Sequence, residues 1–152
     1  MTMTVYCAGP MTGLSYDEVF ARYEHIRAAL GPHFRVLHPM IGKDFLRNME
    51  GPMKPTGYDH IASDQAIFNR DQWMVRQCDI LFVDLRPGKD RVSIGTMFEM
   101  AWASILGKYV VLVIDEDWGV HDHAFVRMAQ HATFHDIDEA IAYMAKIPTG
   151  DI

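Results

Sequence analysis

The chain has 152 residues, of which 49% are hydrophobic and 22% are charged. This length suits one domain with a buried core, and the composition excludes wholesale disorder. Acidic residues outnumber basic ones by 20 to 14, and the resulting net charge of -6 disfavours a nucleic-acid polymer as partner. The chain has neither an apolar run of about 18 residues nor the N-terminal layout of a signal peptide. We therefore expect a soluble cytoplasmic protein without a membrane span.

The first half of the chain predicts two strands, two helices and a long connection. Val5–Ala8 is an apolar run typical of a buried strand, and a capping box at Ser15–Glu18 opens a helix. Phe34–Leu37 predicts the second strand. Residues 38–59 are rich in Gly, Pro and Met, which predicts a long loop that is functional or partly disordered. A helix follows over about Asp64–Gln77. Its inner face is predicted to carry Ile67, Trp73 and Met74.

The second half continues the alternation of strand and helix. Ile80–Leu85 and Tyr109–Ile114 are continuous apolar runs, typical of strands covered on both faces. A helix is predicted from about Thr96 to Leu106, ending at Gly107, and Asp136 caps a final helix. This alternation predicts one α/β domain over residues 1–152, with a Rossmann-like or flavodoxin-like parallel sheet and helices on both faces.

Candidate binding residues follow the predicted strands, because ligands of open α/β sheets bind at the carboxyl ends of the strands. The loop after the first strand consists of Gly9, Pro10, Met11, Thr12 and Gly13. Its backbone N–H groups are suited to an anion, although an ordinary strand-to-helix turn is an equal alternative. Asp84 ends the third strand, from which we expect it to point into the crevice. Neither a Walker A sequence nor the Rossmann glycine fingerprint is present.

Glu99 is the most informative single residue, because it is the only charged residue between Arg91 and Lys108. A carboxylate buried in so apolar a helix needs a partner. We expect Glu99 in the first turn of the helix, where the dipole favours its ionised form. Its role is either that of a catalytic carboxylate or that of the last residue of a capping box starting at Thr96. Asp71, on the preceding helix, is a candidate second carboxylate.

The histidines favour no metal site. His121 and His123 form the best local cluster, but neither an HExxH motif nor a Cys/His pairing accompanies them. A polar loop is the favoured interpretation.

Three segments together resemble the nucleoside 2-deoxyribosyltransferase family, including the related deoxynucleoside 5′-monophosphate N-glycosidases. They are Tyr6-Cys7-Ala8-Gly9-Pro10, Asn69-Arg70-Asp71 and Gly95-Thr96-Met97-Phe98-Glu99. Gly107-Lys108-Tyr109-Val110 is similar to the family's next element, so the order and spacing match from residue 5 to about residue 114.

The resemblance implies an enzyme that exchanges nucleobases on a deoxyribosyl group. Glu99 would be the nucleophile that attacks C1′ and forms a deoxyribosyl ester. Asp71 would contact the base and assist proton transfer, and Tyr6 would orient the nucleophile. The implied partners are a small deoxynucleoside or deoxynucleotide and a free nucleobase, without metal or organic cofactor. The family also implies a homo-oligomer with shared active sites.

Ser93 departs from the pattern of family members that act on free nucleosides, which usually carry an aspartate there. A serine at this position is similar to the 5′-monophosphate N-glycosidases, where it contacts the phosphate. Ser93 and Gly95, at the predicted helix N-terminus, would attract a dianion, and the loop 9–13 would complete the cradle. Those hydrolases, however, tend to carry an arginine where this chain has Thr12. Transfer to a base, hydrolysis of a 5′-monophosphate and a non-catalytic nucleotide sensor therefore remain as alternatives.

Overall fold

The computed structural model describes residues 2–48, 60–87 and 90–147. In these residues five strands form one parallel sheet in the order β2-β1-β3-β4-β5. The strands are β1 (Thr4–Ala8), β2 (Arg35–Leu37), β3 (Ile80–Asp84), β4 (Tyr109–Val113) and β5 (Ala132–Phe134). This strand order is that of a flavodoxin-like doubly wound sheet, so the predicted fold class is confirmed.

Helices cover both faces of the sheet. They are α1 (Tyr16–Leu30), α2 (Asp64–Gln77), α3 (Ile94–Ile105), α4 (Ala124–Met128) and α5 (Ile137–Met144). Short 3-10 turns occupy Asp44–Asn48, His60–Ala62 and Gly119–His121. Two hydrophobic clusters result: α1 and α5 pack on one face of the sheet, and α2, α3 and α4 pack on the other. No helix in the described part of the chain is long and apolar enough to cross a membrane.

The alternation of side chains along β1 decides which residue reaches which face. Val5 and Cys7 belong to the cluster with α1 and α5, whereas Tyr6 and Ala8 belong to the cluster with α2 and α3. All five residues of this strand are buried. Tyr6 is therefore directed towards the helix that carries Glu99.

The predicted helix ends are confirmed where a cap defines them. The Ser15 hydroxyl accepts a hydrogen bond from the Glu18 N–H, and the Glu18 carboxylate accepts one from the Ser15 N–H, which completes the capping box. The Asp136 carboxylate accepts from the Glu139 N–H at 3.0 Å and so caps α5. Gly107 follows α3 with φ +66°, a conformation that favours glycine.

Three details of the predicted elements differ from the structure. β5 and α4 were not expected, because three half-buried residues and five mostly exposed residues give no clear periodicity. Trp73 does not lie on the inner face of α2, since 51% of it is exposed. Of the predicted long loop, residues 49–59 lie outside the described residues.

Candidate active site

Most of the predicted site residues line a cavity of about 540 Å³ at the carboxyl ends of β1 and β3. This volume suits a small organic ligand. Its walls are the loop after β1, the middle of α2, and the segment that leads into α3. The lining includes Gly9, Pro10, Met11, Thr12, Gly13, Pro39, Ile67, Asp71, Arg91, Val92, Ser93, Gly95 and Glu99.

Glu99 is held at the inner end of this cavity by Tyr6. The Tyr6 hydroxyl donates a hydrogen bond of 2.7 Å to Oε1 of Glu99, and both side chains are buried. Glu99 retains an exposed fraction of 5% while it lines the cavity. The carboxylate is thus oriented by one donor and is reachable from the cavity.

Glu99 lies in the second turn of α3, and not in the first turn as expected. The helix begins at Ile94 with Ser93 as its N-cap residue, which places Glu99 six positions after the cap. The Thr96 hydroxyl contacts the Ser93 hydroxyl at 2.8 Å. The capping-box interpretation of Thr96–Glu99 is therefore wrong, because Thr96 already lies inside the helix.

Burial determines the electrostatics of Glu99. Desolvation, and after it the negative charge of Asp71, raise the pKa of Glu99 to about 8 from an ordinary value of 4.5. The hydrogen bond from Tyr6 and the positive charge of Lys43 oppose this rise. We expected the helix dipole to favour the ionised form, but burial outweighs it.

Asp71 shares the cavity with Glu99. It is a half-buried residue of α2, and burial raises its pKa, while the charges of Lys43 and Arg70 oppose the rise. Two carboxyl groups in one low-dielectric site cannot both ionise at low cost, so the pair favours holding a proton. The structure thus brings together the three residues predicted to be catalytic, namely Tyr6, Asp71 and Glu99.

The loop after β1 forms one wall of the cavity with all five of its predicted residues. Gly9 packs against β3 so closely that a Cβ atom there would lie 2.5 Å from the Asp84 carbonyl oxygen. The Arg22 guanidinium donates to the Pro10 carbonyl at 2.9 Å and supports the loop from α1. Gly13 has φ +87°, which favours glycine. The loop is therefore shaped by close backbone packing and by the contact with Arg22, rather than by its own side chains.

Asp84 does not point into the cavity, contrary to expectation. It is buried, and Arg86 binds it through two hydrogen bonds, from Nε at 2.9 Å and from Nη2 at 3.0 Å. The chain turns directly after β3, so Arg86 folds back onto the carboxylate. Asp84 contributes its backbone to the packing of Gly9, and its carboxylate is used in this ion pair.

Two residues near the site, Lys43 and Arg91, carried no clear signal in the sequence, and a third, His121, was interpreted only as part of a polar loop. Lys43 is buried, with 2% of it exposed, and its positive charge lowers the pKa of both carboxyl groups. Arg91 lines the cavity, with Nη2 3.4 Å from the point where a Cβ atom of Gly13 would lie. Nε2 of the buried His121 accepts a hydrogen bond of 3.2 Å from the Ser93 N–H at the start of α3. Loop residues such as these show no periodicity, so only the fold reveals their surroundings.

Comparison with protein families decides the assignment. Residues 5–142 match the family model described as nucleoside 2-deoxyribosyltransferase. The chain belongs to the nucleoside 2-deoxyribosyltransferase family. The predicted resemblance is therefore confirmed, and the family is one of enzymes that act on nucleosides and nucleobases.

Solved structures with the same fold include a 2-deoxyribosyltransferase, an N-glycosidase and a cofactor-binding protein. A 2-deoxyribosyltransferase from Bacillus psychrosaccharolyticus is 21% identical, with a TM-score of 0.63 over 95% of this chain and 96% of the other. The CMP N-glycosidase of Clostridium botulinum is 20% identical, with a TM-score of 0.57 over 93% of this chain and 97% of the other. A molybdenum cofactor binding protein from Rippkaea orientalis is 18% identical, with a TM-score of 0.58 over 97% of this chain and 98% of the other. At these identities the likeness concerns the fold. A comparison with curated proteins gives no match.

Proposed function

We propose that this member of the family cleaves the N-glycosidic bond of a 2′-deoxyribonucleoside or its 5′-monophosphate and transfers the deoxyribosyl group to another nucleobase. The observation that carries the proposal is the 2.7 Å hydrogen bond from Tyr6 to the buried Glu99 at the inner end of the cavity. A carboxylate that is buried, oriented and reachable has the properties of a nucleophile.

In the first half of the reaction, the carboxylate of Glu99 attacks C1′ of the sugar. The bond from C1′ to the base nitrogen breaks, and its electron pair leaves with the base. In the reacting form the proton that the two carboxyl groups share lies on Asp71, which donates it to the departing base. The products are a deoxyribosyl ester of Glu99 and a neutral free base.

In the second half, a ring nitrogen of another nucleobase attacks C1′ from the opposite side. The ester bond breaks and returns its electron pair to the Glu99 carboxylate, while Asp71 accepts the proton that the incoming base loses. Two inversions at C1′ retain the configuration of the sugar. Tyr6 donates to one carboxylate oxygen throughout, which leaves the other oxygen for the bond to C1′.

Hydrolysis of a 5′-monophosphate is a second candidate, favoured by the groups around the entrance to α3. Ser93 is the N-cap residue of this 12-residue helix and lines the cavity, so unpaired N–H groups of the first turn face the same space. Arg91 adds a positive charge on the side of Gly13. A phosphate would suit these groups, and water would then replace the second base as acceptor.

We also propose that the protein self-associates, as the family implies. A groove of about 620 Å³ runs between α3 and α4, and its lining is mostly apolar. Three apolar side chains on its rim are unusually exposed, namely Ile105 at 84%, Phe125 at 80% and Met128 at 82%. Patches of this kind mark interaction surfaces. Val92 lines both the groove and the candidate active site, so a second copy in the groove would lie beside the cavity.

Product analysis by liquid chromatography tests the proposal. Each 2′-deoxynucleoside and each 5′-monophosphate is incubated with the protein, with and without a second free base. A new nucleoside or nucleotide that forms only with added base supports transfer, and the preferred donor decides the role of Ser93. Free base without exchange supports hydrolysis.

The variant Glu99→Gln is the control, because it keeps the shape of the side chain and removes the nucleophile. We expect it to abolish base release while substrate binding, measured by calorimetry, is retained. If the unaltered protein binds nucleotides but releases no base from any donor, the catalytic proposal fails and the sensor alternative takes its place.

A further inference from the structure

We infer that His121 is a positioning residue for this reaction, because its imidazole holds the backbone of Ser93 and thereby fixes the wall of the cavity at the start of α3. The inference rests on the proposed function and adds a residue from the loop after β4. Nε2 of His121 accepts a hydrogen bond of 3.2 Å from the Ser93 N–H. His121 is not among the described residues that line the cavity, so it acts through Ser93 and not by touching substrate.

The wall to which Ser93 belongs is thin. Val92 lines the cavity on one side and the groove between α3 and α4 on the other. Residues 91, 92, 94 and 95 are exposed, and Ser93 itself is half-buried. A segment so exposed has few buried apolar contacts to hold it in place. Its position therefore depends on hydrogen bonds.

Two hydrogen bonds of Ser93 stay within α3, and a third leaves the helix. The Ser93 carbonyl accepts from the Met97 N–H at 3.0 Å, and its hydroxyl contacts the Thr96 hydroxyl at 2.8 Å. Both of these bonds would move with the helix if its first turn shifted. The bond to His121 instead ties Ser93 to the loop after β4, so it fixes the wall relative to the sheet.

A tight turn in the loop after β4 brings His121 to this place. The Trp118 N–H donates to the Asp115 carbonyl at 3.0 Å, and the His121 N–H donates to the Trp118 carbonyl at 3.1 Å. Trp118, between these two bonds, has a left-handed backbone with φ +60°. His121 is only 3% exposed as a result. A side chain buried in this way can serve as a fixed anchor for Ser93.

The hydrogen bond also determines the state of the imidazole. Nε2 accepts a hydrogen bond only as an unprotonated nitrogen, so the ring is neutral and carries its proton on Nδ1. Burial lowers the pKa of His121, which favours the neutral ring. The buried position and the role of acceptor are therefore consistent with each other.

The consequence for the reaction concerns substrate binding more than the chemical step. Glu99 is held separately, by the hydrogen bond from Tyr6 in β1. Six residues of helix separate Ser93 from Glu99, which is about 9 Å along the helix axis. The wall at Ser93 thus faces a part of the donor that is remote from C1′. Loss of its fixed position should raise KM and leave kcat almost unchanged.

Substitution of His121 by Phe and by Gln tests the inference, with His131→Phe as the matched control. Phenylalanine keeps an aromatic ring and removes the acceptor, whereas the carbonyl oxygen of glutamine can replace Nε2. His131 makes the same kind of bond far from the carboxyl ends of the strands, because its Nδ1 accepts from the Val110 N–H at 3.0 Å near the amino end of β4.

Steady-state kinetics of base release give the first readout. We expect His121→Phe to raise KM for the donor about fivefold, with kcat within about twofold of the original value. His121→Gln should recover most of this loss, and His131→Phe should leave KM unchanged. A general loss of stability would instead reduce the amount of active protein, which lowers the apparent kcat at constant KM. An unchanged KM in folded His121→Phe protein overturns the inference.

NMR of ¹⁵N-labelled protein tests the hydrogen bond without activity, and it covers the case in which His121→Phe does not fold. We expect the ¹⁵N shifts of His121 to show a proton on Nδ1 and none on Nε2. A proton on Nε2 overturns the inference. Absence of base release from the unaltered protein overturns the proposed function instead, and the state of Nε2 then still decides whether His121 holds Ser93.

Discussion

At the scale of single residues, Glu99 is a carboxyl group whose burial opposes folding. Its pKa is raised to about 8 in the folded protein, from 4.5 when exposed. The folded state therefore binds this proton more tightly than the unfolded state. The resulting contribution to stability is complete below pH 4.5 and is lost as the pH rises through 8.

Glu99→Gln should consequently stabilise the protein, and more so in alkaline solution. Glutamine does not titrate and still accepts the Tyr6 hydrogen bond, so we expect a Tm increase that is larger at pH 9 than at pH 5 by about 5 °C. Thermal unfolding at both pH values measures this. Glu18→Gln is the control, for which we expect a decrease in Tm. The hydrogen bonds with Ser15 lower the pKa of Glu18, so loss of the Glu18 carboxylate should destabilise the protein. Equal Tm changes of Glu99→Gln at the two pH values would contradict the burial argument.

Tyr6→Phe removes the hydrogen-bond donor that orients Glu99, the proposed nucleophile. We expect kcat to fall by about tenfold or more, since a hydrogen bond to a charged group contributes on the order of 1.5–3 kcal/mol. Steady-state kinetics of base release measure the effect. Tyr109→Phe is the matched control, because its hydroxyl pairs with that of Tyr143 at 2.6 Å, on the face of the sheet opposite Glu99. A Tyr6→Phe protein as active as the control would show that the hydrogen bond does not serve catalysis.

Single residues differ in how far the sequence reveals them. Glu99 could be recognised because a lone charge in an apolar helix demands an explanation. Lys43 could not, because its burial depends on a turn and on a neighbouring helix that meet only in the folded chain. The direction of Asp84 was mispredicted for a similar reason, since Arg86, two residues later, captures its carboxylate.

At the scale of elements, the junction of β1 with its loop depends on close backbone approach. A Cβ atom on Gly9 would lie 2.5 Å from a backbone oxygen of β3, whereas one on Gly95 in α3 would meet nothing within 4 Å. We expect Gly9→Ala to lower the free energy of unfolding by about 2 kcal/mol. Gly95→Ala should leave it unchanged or raise it by up to about 1 kcal/mol, because alanine favours helix. Urea denaturation distinguishes the two, and equal effects would refute the packing argument.

Elements with defined ends were predicted well, and elements without them were missed. The predicted bounds of α2 agree with the structure because Ser63 caps the helix and Cys78 ends it directly before β3. β5 lies at the edge of the sheet and needs only three residues, which the hydrogen bond from the Ile114 N–H to the Phe134 carbonyl helps to place. Such a strand is defined by its neighbour and not by its own side chains.

At the scale of the whole molecule, most of the large apolar side chains that are exposed in the described residues lie on or beside α2, α3 and α4, on one face of the sheet. Phe68, Phe98 and Trp102 form edge-to-face contacts between α2 and α3, and α3 also lines the groove beside α4. The sequence predicted the alternating architecture, since helices on both faces follow from buried parallel strands. The sequence did not predict this surface. An apolar helix has the same sequence pattern whether its own chain or a second chain covers it, so the pattern cannot distinguish the two cases.

Met128→Asp tests whether a second copy covers this side. A charge at a side chain that is 82% exposed should not harm the isolated fold, but it should weaken self-association. We expect sedimentation velocity to show a shift towards monomer relative to the unaltered protein. Ala28→Asp, at an exposed position of α1 on the other face of the sheet, adds the same charge and should leave the oligomer intact. An unaltered protein that is monomeric at all concentrations would contradict the proposed assembly.

Val92 belongs to the walls of two cavities, the one that holds Glu99 and the groove between α3 and α4. If a neighbour occupies the groove, any change it makes in the position of Val92 alters the affinity for substrate, and substrate alters the affinity for the neighbour by the same factor. Dilution of the protein, which separates the copies, would then lower the activity per molecule. We expect the activity per molecule to decline at low protein concentration, and saturating substrate to restore it. The concentration of the protein in a cell would then set the activity of each molecule as well as the total activity.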